Sequence, residues 1–313
     1  MKTRTVRVLL STYNGEKYLK EQLDSILMQE DRGVSVSILV RDDGSSDHTQ
    51  EILSAYTKKF KNFSWYTGKH KGAAGSFYDL LLRTDTIADY YAFADQDDVW
   101  NKEKLVRAVR KLIQESKRMD YADQPILYAG KVICASQNLE KQERVYYRIG
   151  KNASFGNALV ENICMGCTEV FNLELLLLVR KHLPGSNIMH DWWMYLTAAY
   201  FGKVIFDQKA YMLYRQHENN EVGMQNCRRL RWRNRIEHVR KIKHKLSGQA
   251  SEFQEVYTGV PAMRREDEGI LEQMCRYRDS VYKRICMAVT SGIYRQNRMD
   301  DLVFRLLIFI GYL

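Results

Sequence analysis

The sequence is poor in proline and has no long apolar run. Three prolines in 313 residues argue against long disordered linkers. The longest apolar stretch, Leu302–Leu313, is interrupted by Arg305 and falls short of the roughly 20 residues that cross a bilayer. The polar, basic segment Met1–Arg7 is unlike a signal peptide. We therefore expect a globular protein of the cytoplasm, without a membrane span or an export signal.

Two common motifs are also missing. The six cysteines show no disulfide framework, so we expect reduced thiols. Cys164 and Cys167 form a C-x-x-C pair, but a zinc site would need two further ligands at similar spacing, and we expect both to be small buried side chains on a strand. No G-x-G-x-x-G loop occurs, which removes the usual dinucleotide-binding fingerprint.

Apolar runs alternate with segments of helical periodicity. The predicted strands are Val6–Ser11, Val34–Val40, Phe63–Tyr66, Tyr90–Ala94 and Ile126–Ala135. The predicted helices are Glu16–Gln29, a segment from the N-cap Ser46 to Lys59, Gly72–Arg83 and Lys102–Lys117. After Leu139 follow strands at Asn162–Phe171, Lys203–Phe206 and Ala210–Gln216, and helices at Leu173–Lys181 and Asp191–Phe201. The alternation predicts an α/β fold with a mainly parallel sheet flanked by helices.

Three carboxylates follow the apolar strand Tyr90–Ala94, namely Asp95, Asp97 and Asp98. Carboxylates this close repel one another unless a positive charge lies between them. Oxygen ligands suit Mg²⁺ or Mn²⁺, and ligands bind at the carboxyl ends of strands in such sheets. The alternative is a solvated acidic turn in which Asp98 or Asn101 caps the next helix.

Two other predicted strands also end in polar turns with glycine. The first strand leads to Tyr13-Asn14-Gly15, and the second to Asp42-Asp43-Gly44. Tyr13 can stack on a base, and Asp43 can accept the N3–H of a pyrimidine. Ordinary turn chemistry explains either motif alone, because Asn-Gly and Asp-Gly are common turn formers. Three turns that converge at one sheet edge favour a binding site.

The three motifs together resemble family 2 glycosyltransferases with the GT-A fold. They are Ser11-Thr12-Tyr13-Asn14-Gly15, Asp42-Asp43-Gly44-Ser45-Ser46-Asp47 and Phe93-Ala94-Asp95-Gln96-Asp97-Asp98-Val99-Trp100. Their order and spacing match that family over roughly the first 220 residues, and later motifs are similar to its rhamnosyltransferase-like branch. The resemblance implies a GT-A catalytic domain at 1–225, with a nucleotide-sugar-binding half at about 1–100 and an acceptor half at about 101–225. A helical, basic extension at 226–313 follows.

The resemblance also implies roles for residues of the donor half. Thr12, Tyr13 and Glu16 match the donor-nucleotide turn, Asp43 matches the carboxylate that reads the pyrimidine, and Lys71 lies in the segment beside the nucleotide. Asp95, Gln96 and Asp97 match the D-x-D motif. Asp97 is the predicted direct ligand of Mg²⁺ or Mn²⁺, and Asp95 is expected at the ribose or at the metal.

The acceptor half contains the motif His190-Asp191-Trp192-Trp193. The resemblance implies that Asp191 is the general base, with His190 where the family usually has Glu; a helix cap with aromatic packing is the alternative. Trp192 or Trp193 can stack on a sugar. The later His217 is implied as a metal ligand, and Arg215 as a weaker phosphate contact; a core histidine is the alternative for His217.

The implied function is inverting transfer of a sugar to an acceptor hydroxyl in bacterial-type cell-surface polysaccharide assembly. The expected donor is dTDP-rhamnose, otherwise a UDP-hexose, and the expected acceptor is a saccharide or a lipid-linked saccharide. An inactive GT-A scaffold is one alternative. A basic module that binds nucleic acid or another anionic polymer is the other, although no recognition motif appears.

The net charge of +10 is concentrated late in the chain. From Arg228 to Lys245, nine of eighteen residues are Lys or Arg, with apolar residues between them. A basic amphipathic helix predicts contact with an anionic membrane surface, here the inner face of the cell membrane. The apolar end Val303–Leu313 is a second candidate contact. The alternatives for that end are packing on the catalytic domain and a homodimer interface.

Overall fold

The computed structural model describes residues 3–118, 123–141, 149–217 and 245–313. The chain forms two compact units. The first comprises Met1–Tyr147 and Cys164–Arg215, and the second comprises Arg148–Ile163 and Gln216–Leu313. Every predicted site residue except His217 lies in the first unit. The predicted functional division near residue 225 stays a prediction.

The first unit is built on one eight-stranded sheet. Its strands are β1 (Arg4–Thr12), β2 (Val34–Asp42), β3 (Phe63–Thr67), β4 (Tyr90–Ala94), β5 (Val99–Trp100), β6 (Ile126–Ala135), β7 (Val170–Asn172) and β8 (Lys203–Arg215). The order across the sheet is β3-β2-β1-β4-β7-β6-β8-β5. Neighbours are parallel from β3 to β4 and between β6 and β8, while β7 and β5 run antiparallel to their partners. The predicted α/β sheet is confirmed, as a mixed sheet with a parallel half.

Helices flank this sheet; most bury one apolar face, whereas the last of them is buried on almost every side. They are α1 (Leu19–Leu27), α2 (Thr49–Lys59), α3 (Gly72–Arg83), α4 (Lys104–Ser116), α6 (Leu173–Lys181) and α7 (His190–Phe201). In α1, Leu19, Leu23 and Ile26 are fully buried at helical spacing. Every residue of β4 is buried, as expected for a strand covered on both faces.

Three predicted elements differ in the structure. Strand Asn162–Phe171 is replaced by a 3-10 turn at Gly166–Thr168 and the short β7, because the Thr168 hydroxyl donates to the Met165 carbonyl at 2.8 Å. The two late strands merge into β8, whose register against β6 shifts near Gly130. Helix α2 starts at Thr49, where Asp47 Oδ1 accepts the main-chain N–H at 3.0 Å, so Ser46 is not its N-cap.

The second unit is helical in its described part. Its helices are α5 (Phe155–Ala158), α8 (Lys245–Val256), α9 (Arg265–Arg276), α10 (Val281–Val289) and α11 (Arg298–Phe309). The rings of Phe155 and Phe253 lie 5.7 Å apart, and Glu161 accepts the main-chain N–H of Gln296 at 2.7 Å. None of the helices in the described ranges has the length and apolar character of a membrane span. Of the basic segment 228–245, all but Lys245 lies outside the described residues.

Candidate active site

The three predicted turns meet at one edge of the sheet. Strand β1 runs parallel to β2 and β4, with Thr12 beside Asp42 and Leu10 beside Ala94. Their carboxyl ends therefore point the same way, and the polar residues that follow come together. This edge is where α/β sheets usually bind ligands.

Gln96 joins the first turn to the acidic turn. Its Oε1 accepts from Thr12 Oγ1 at 2.6 Å and from the Tyr13 N–H at 2.9 Å, and its amide donates to the Tyr13 carbonyl at 3.2 Å. A Cβ on Gly15 would lie 2.5 Å from both Gln96 Oε1 and Thr12 Oγ1, so a larger residue would displace this hydrogen-bonded pair. Gln96 thus fixes the conformation of the predicted donor turn through its hydrogen bonds to Thr12 and Tyr13.

The first and second turns are also joined to each other. Asn14, in the left-handed region at φ 47°, donates its N–H to Ser45 Oγ at 2.9 Å. Glu16 Oε2 accepts from the main chain and the ring of His48, at 3.0 and 2.8 Å. These hydrogen bonds lower the pKa of Glu16 and raise that of His48. The predicted donor contact of Glu16 stays a prediction.

Asp43 lies inside the second turn with 2% of its surface exposed. Its carboxylate accepts from the Arg41 guanidinium and from the main-chain N–H groups of Lys71 and Gly72, and its Oδ2 lies 2.9 Å from His70 Nδ1. Three donors and the His70 contact surround the two oxygens, so the carboxylate holds the segment 70–72 in place. Its predicted direct contact with a pyrimidine stays a prediction.

A second carboxylate, Asp79 on α3, supports the same region. It accepts from Lys71 Nζ at 2.8 Å, Tyr66 Oη at 2.9 Å and Arg41 Nε at 3.2 Å. Burial alone would raise the pKa of Asp79, but the hydrogen bonds from Lys71 and Tyr66 outweigh it, and the pKa is lowered. The side chain of Lys71 is thereby fixed near its predicted nucleotide contact.

Two aromatic rings lie exposed beside this network. The Tyr13 side chain is 44% exposed, and the ring centroids of Tyr13 and His70 are 4.5 Å apart. An exposed pair of rings offers a stacking surface for a base. Sequence reasoning identified Tyr13 but missed His70, because only the folded chain places the His70 ring beside Tyr13 and against the Asp43 carboxylate.

Asp95, Asp98 and Cys167 form a group with potential ligand atoms within 4.8 Å of one another. Asp98 is completely buried, its Oδ1 accepts the Arg215 N–H at 3.1 Å, and its Oδ2 lacks a hydrogen-bond partner in the structure. Burial, followed by the charges of Asp97 and Asp95, raises the pKa of Asp98 well above its usual value. A bound cation would relieve this repulsion, so the residues fit a divalent metal.

Asp97 and Cys167 contribute differently. The Cys167 sulfur lies within 4.8 Å of a carboxylate oxygen of Asp98, and burial raises the pKa of its thiol well above its usual value. Cys164 and Cys167 are buried as predicted, although neither lies on a strand. The main-chain carbonyl of Asp97 accepts from Arg215 Nε at 2.6 Å. Direct metal contact by the Asp97 carboxylate stays a prediction.

Two buried cations lie near the carboxylates. Lys104 Nζ is 3.4 Å from the Trp100 ring centroid, and burial lowers the pKa of Lys104 to about 7 although Asp98 and Asp95 act to raise it. Arg215 is 2% exposed, and its guanidinium donates to the carbonyls of Asp97 and Gln137 and to Glu21. Arg215 therefore holds the acidic turn in place. Because so little of its side chain is exposed, little of it can reach the phosphate that the sequence suggested as its partner.

His217 falls in the second unit, and its metal contact stays a prediction.

Asp191 stands in the first turn of α7 and is half-buried. Its Oδ2 accepts the Gly166 N–H at 3.2 Å, and its Oδ1 accepts the Trp192 N–H at 2.7 Å. Trp193 is completely buried and donates its indole N–H to the His182 carbonyl at 2.9 Å, so the predicted stacking of Trp193 on a sugar is wrong. Trp192 is partly exposed and keeps that predicted role.

Two buried titratable groups lie behind Asp191. His190 stacks on Phe77 at 3.9 Å and meets Phe93 edge-on at 4.9 Å, and burial lowers the pKa of His190 to about 3. Glu169 is completely buried, and both its carboxylate oxygens lack hydrogen-bond partners in the structure. Burial first, and the Asp191 charge second, raise the pKa of Glu169 well above 4.5. The sequence offered no sign of Glu169, since it reads as a polar residue in an apolar run.

Glu169→Gln is expected to change how stability depends on pH. Because the pKa of Glu169 is raised in the folded state, its stabilising contribution is complete below 4.5 and is lost as pH rises through the folded pKa. The amide cannot ionise, so the variant should resist this loss and be more stable than the wild type at pH 8. Urea unfolding between pH 4 and 9 measures the effect; equal slopes for the two proteins would contradict it.

The fold of this chain is similar to that of several solved structures. The S. aureus TarS 1–349 structure in complex with UDP-GlcNAc aligns over 99% of this chain and 81% of its own, with a TM-score of 0.58 and 17% identity. A mannosyltransferase from Pyrobaculum calidifontis, in complex with GDP-Man and Mn²⁺, aligns over 92% and 72%, with a TM-score of 0.52 and 14% identity. The fold is therefore the GT-A fold of glycosyltransferases, as predicted.

Sequence comparison then gives the family. The profile of Glycosyl transferase family 2 matches residues 7–168. The dTDP-rhamnosyl transferase RfbG of Shigella flexneri is 32% identical over 227 residues, which cover 68% of this chain and 73% of that protein. The chain belongs to glycosyl transferase family 2 and is a glycosyltransferase with a rhamnosyltransferase among its relatives.

Proposed function

We propose that this glycosyltransferase moves a sugar with inversion to an acceptor hydroxyl during assembly of a bacterial cell-surface polysaccharide. The proposed donor is dTDP-rhamnose, with a UDP-hexose as second choice. The 32% identity to a dTDP-rhamnosyl transferase supports the first donor, and a UDP-GlcNAc complex among the structural neighbours supports the second. The acceptor is proposed to be a saccharide or a lipid-linked saccharide.

The placement of Asp191 carries this proposal. Its half-buried carboxylate is held by two main-chain N–H groups at the start of α7, in the unit that holds the acidic group Asp95 and Asp98. Asp191 accepts the proton of the acceptor hydroxyl while that oxygen attacks the anomeric carbon. One displacement inverts the configuration, and no covalent nucleophile takes part. Trp192 is proposed to contact the acceptor or the transferred sugar.

The remaining side chains bind and orient the donor. Tyr13 stacks on the base, while Thr12, Glu16, Asp43, Lys71 and Gln96 shape or contact the nucleotide pocket. Asp95, Asp98 and Asp97 are the residues that would hold Mg²⁺ or Mn²⁺, and such an ion would neutralise the charge that builds on the diphosphate leaving group. The fully buried Asp98, with one unpartnered oxygen, supports this part of the proposal.

The proposed location is the cytoplasmic face of the cell membrane, reached by peripheral association. The basic segment 228–245 supports it, since Lys and Arg side chains are attracted to anionic lipid. Nucleic acid is not a proposed partner. A homodimer is compatible with the proposal.

Calorimetric binding of dTDP, UDP and GDP, each with and without Mn²⁺, is the test. We expect dTDP to bind most tightly, UDP more weakly, and both to depend on Mn²⁺. Loss of binding in Asp95→Ala, with unchanged thermal unfolding, would tie the nucleotide to the acidic group. A folded protein that binds none of the three nucleotides would overturn the proposal.

A further inference from the structure

Exposed apolar side chains are concentrated on two neighbouring helices of the second unit. In the described part of the chain, fifteen large hydrophobic side chains are exposed, and ten of them lie between residues 281 and 310. They are Val281, Tyr282, Ile285 and Val289 on α10, and Met299, Leu302, Val303, Leu306, Phe309 and Ile310 on or just after α11. The other five are scattered, so this cluster, here called the α10–α11 face, is not ordinary surface composition.

The spacing makes each helix present a continuous apolar stripe. On α10 the positions 281, 285 and 289 are four residues apart, and on α11 the positions 299, 302, 303, 306 and 310 follow the three-and-four pattern of one helix side. Within α11 every exposed side chain except Arg298 is apolar. The opposite side of each helix is already used, because Met287, Phe304 and Ile308 are buried.

Arg305 fixes how the two helices are joined. Its guanidinium donates to the carbonyls of Ala288, Thr290 and Ile293 at 2.6, 3.3 and 2.9 Å, and to Asp301 at 3.1 Å. These bonds tie the end of α10 and the connecting segment to the middle of α11. The two stripes are therefore held in a set orientation and do not depend on a partner for their order.

The surroundings of the α10–α11 face are positively charged. Residues 276–313 contain seven Lys or Arg side chains against three Asp, a net charge of +4. Lys283 is paired with Asp279 and Arg305 with Asp301, and Arg276 and Arg295 pair with Glu272 and Glu161 from outside this range, so the excess of positive charge falls to +2. An apolar stripe beside basic side chains matches a surface that is anionic outside and apolar beneath.

We propose that the α10–α11 face docks on an anionic lipid bilayer, lying in the headgroup region. Helix α11 has 12 residues, or about 18 Å, so it lies on the membrane and does not cross it. A second copy that docked through the same face would bring like charges together, and so would the basic segment 228–244 if it covered this face. This inference deepens the proposed membrane association by naming its surface, and it rests on that part of the proposed function.

Flotation of the full chain with vesicles tests the proposal. We expect binding to vesicles of phosphatidylcholine with 30% phosphatidylglycerol, and weak binding to pure phosphatidylcholine. Leu306→Glu should weaken binding at least tenfold, because it places a negative charge in the middle of the face. Leu82→Glu is the matched control: Leu82 is exposed to a similar degree, 53% against 57%, but lies on α3 in the first unit.

Two further measurements distinguish docking by this face from docking by the basic segment alone and from a dimer interface. Replacing Lys241 and Lys243 by Gln neutralises part of the basic segment. If this abolishes vesicle binding while Leu306→Glu leaves it intact, the α10–α11 face is not the docking site.

Sedimentation velocity reports self-association. If Leu306→Glu converts a dimer to a monomer and leaves vesicle binding unchanged, the proposal is also overturned. Nucleotide binding by Leu306→Glu should equal that of the wild type, so failure of docking and failure of the proposed catalysis give different results.

Discussion

Replacing Asp191 by asparagine is expected to lower kcat for sugar transfer about 1000-fold, with donor-nucleotide binding unchanged. A positioned general base contributes roughly 10²–10⁴-fold to such a reaction. The amide keeps the size of the carboxylate, and its one oxygen can still accept the N–H of either Gly166 or Trp192. It cannot take up the acceptor proton. Single-turnover kinetics with the cognate donor, together with calorimetry of the nucleotide, measure the two effects separately.

Glu174→Gln provides the control for this experiment. Glu174 also stands in the first turn of a helix of the same unit, at the start of α6. The same loss of negative charge there should leave kcat near the wild-type value. If Asp191→Asn retained kcat within about tenfold, the proton would have to go elsewhere, because the expected contribution of a general base exceeds that ratio.

Replacing Asp98 by asparagine is expected to weaken Mn²⁺-dependent binding of dTDP about 100-fold, while the metal-free protein stays at least as stable as the wild type. Loss of a carboxylate ligand or of its close support typically costs about 10–100-fold in metal affinity. The amide oxygen can still accept the Arg215 N–H. It also removes a buried negative charge that is crowded by Asp95 and Asp97.

Asp97→Asn is the informative comparison for Asp98→Asn. Both variants remove one negative charge from the same turn, but Asp97 is partly exposed whereas Asp98 is buried. Calorimetry of dTDP with Mn²⁺, and thermal unfolding in a chelator, should be run on both. If only Asp97→Asn weakened Mn²⁺-dependent binding of dTDP, Asp97 would be the metal ligand, as the sequence suggested, and Asp98 would have a structural role only.

Several features of the site could be predicted because they depend on local pattern. The apolar runs Val6–Ser11, Val34–Val40 and Tyr90–Ala94 became β1, β2 and β4, since a buried strand needs an unbroken apolar segment. Parallel pairing then brings their carboxyl ends together. This pairing brings together the turns that carry Tyr13, Asp43 and Asp95, and the Gln96 and Asn14 hydrogen bonds then join them.

Other features depend on which side chains become buried. Trp192 and Trp193 are adjacent in the chain, yet only Trp193 faces the core, and this depends on how α7 is rotated against the sheet. The buried position of Glu169 near Asp191 could not be predicted, because the two residues are 22 positions apart in the sequence and only folding brings them together. The α10–α11 face was foreseen only as an apolar chain end, since exposure cannot be read from composition.

The sequence by itself determined the alternation of strands and helices, the polar turns at the strand ends, and through their order the resemblance to family 2 glycosyltransferases. Within the described residues, the tertiary structure decided that Asp98 joins Asp95 with one oxygen unpartnered, that Asp43 is held by three donors, and that two helices keep an apolar face exposed. The reason is physical. Local propensity and periodicity act between near neighbours in the chain, whereas burial, ion pairing and pKa shifts depend on groups that only the folded chain brings together.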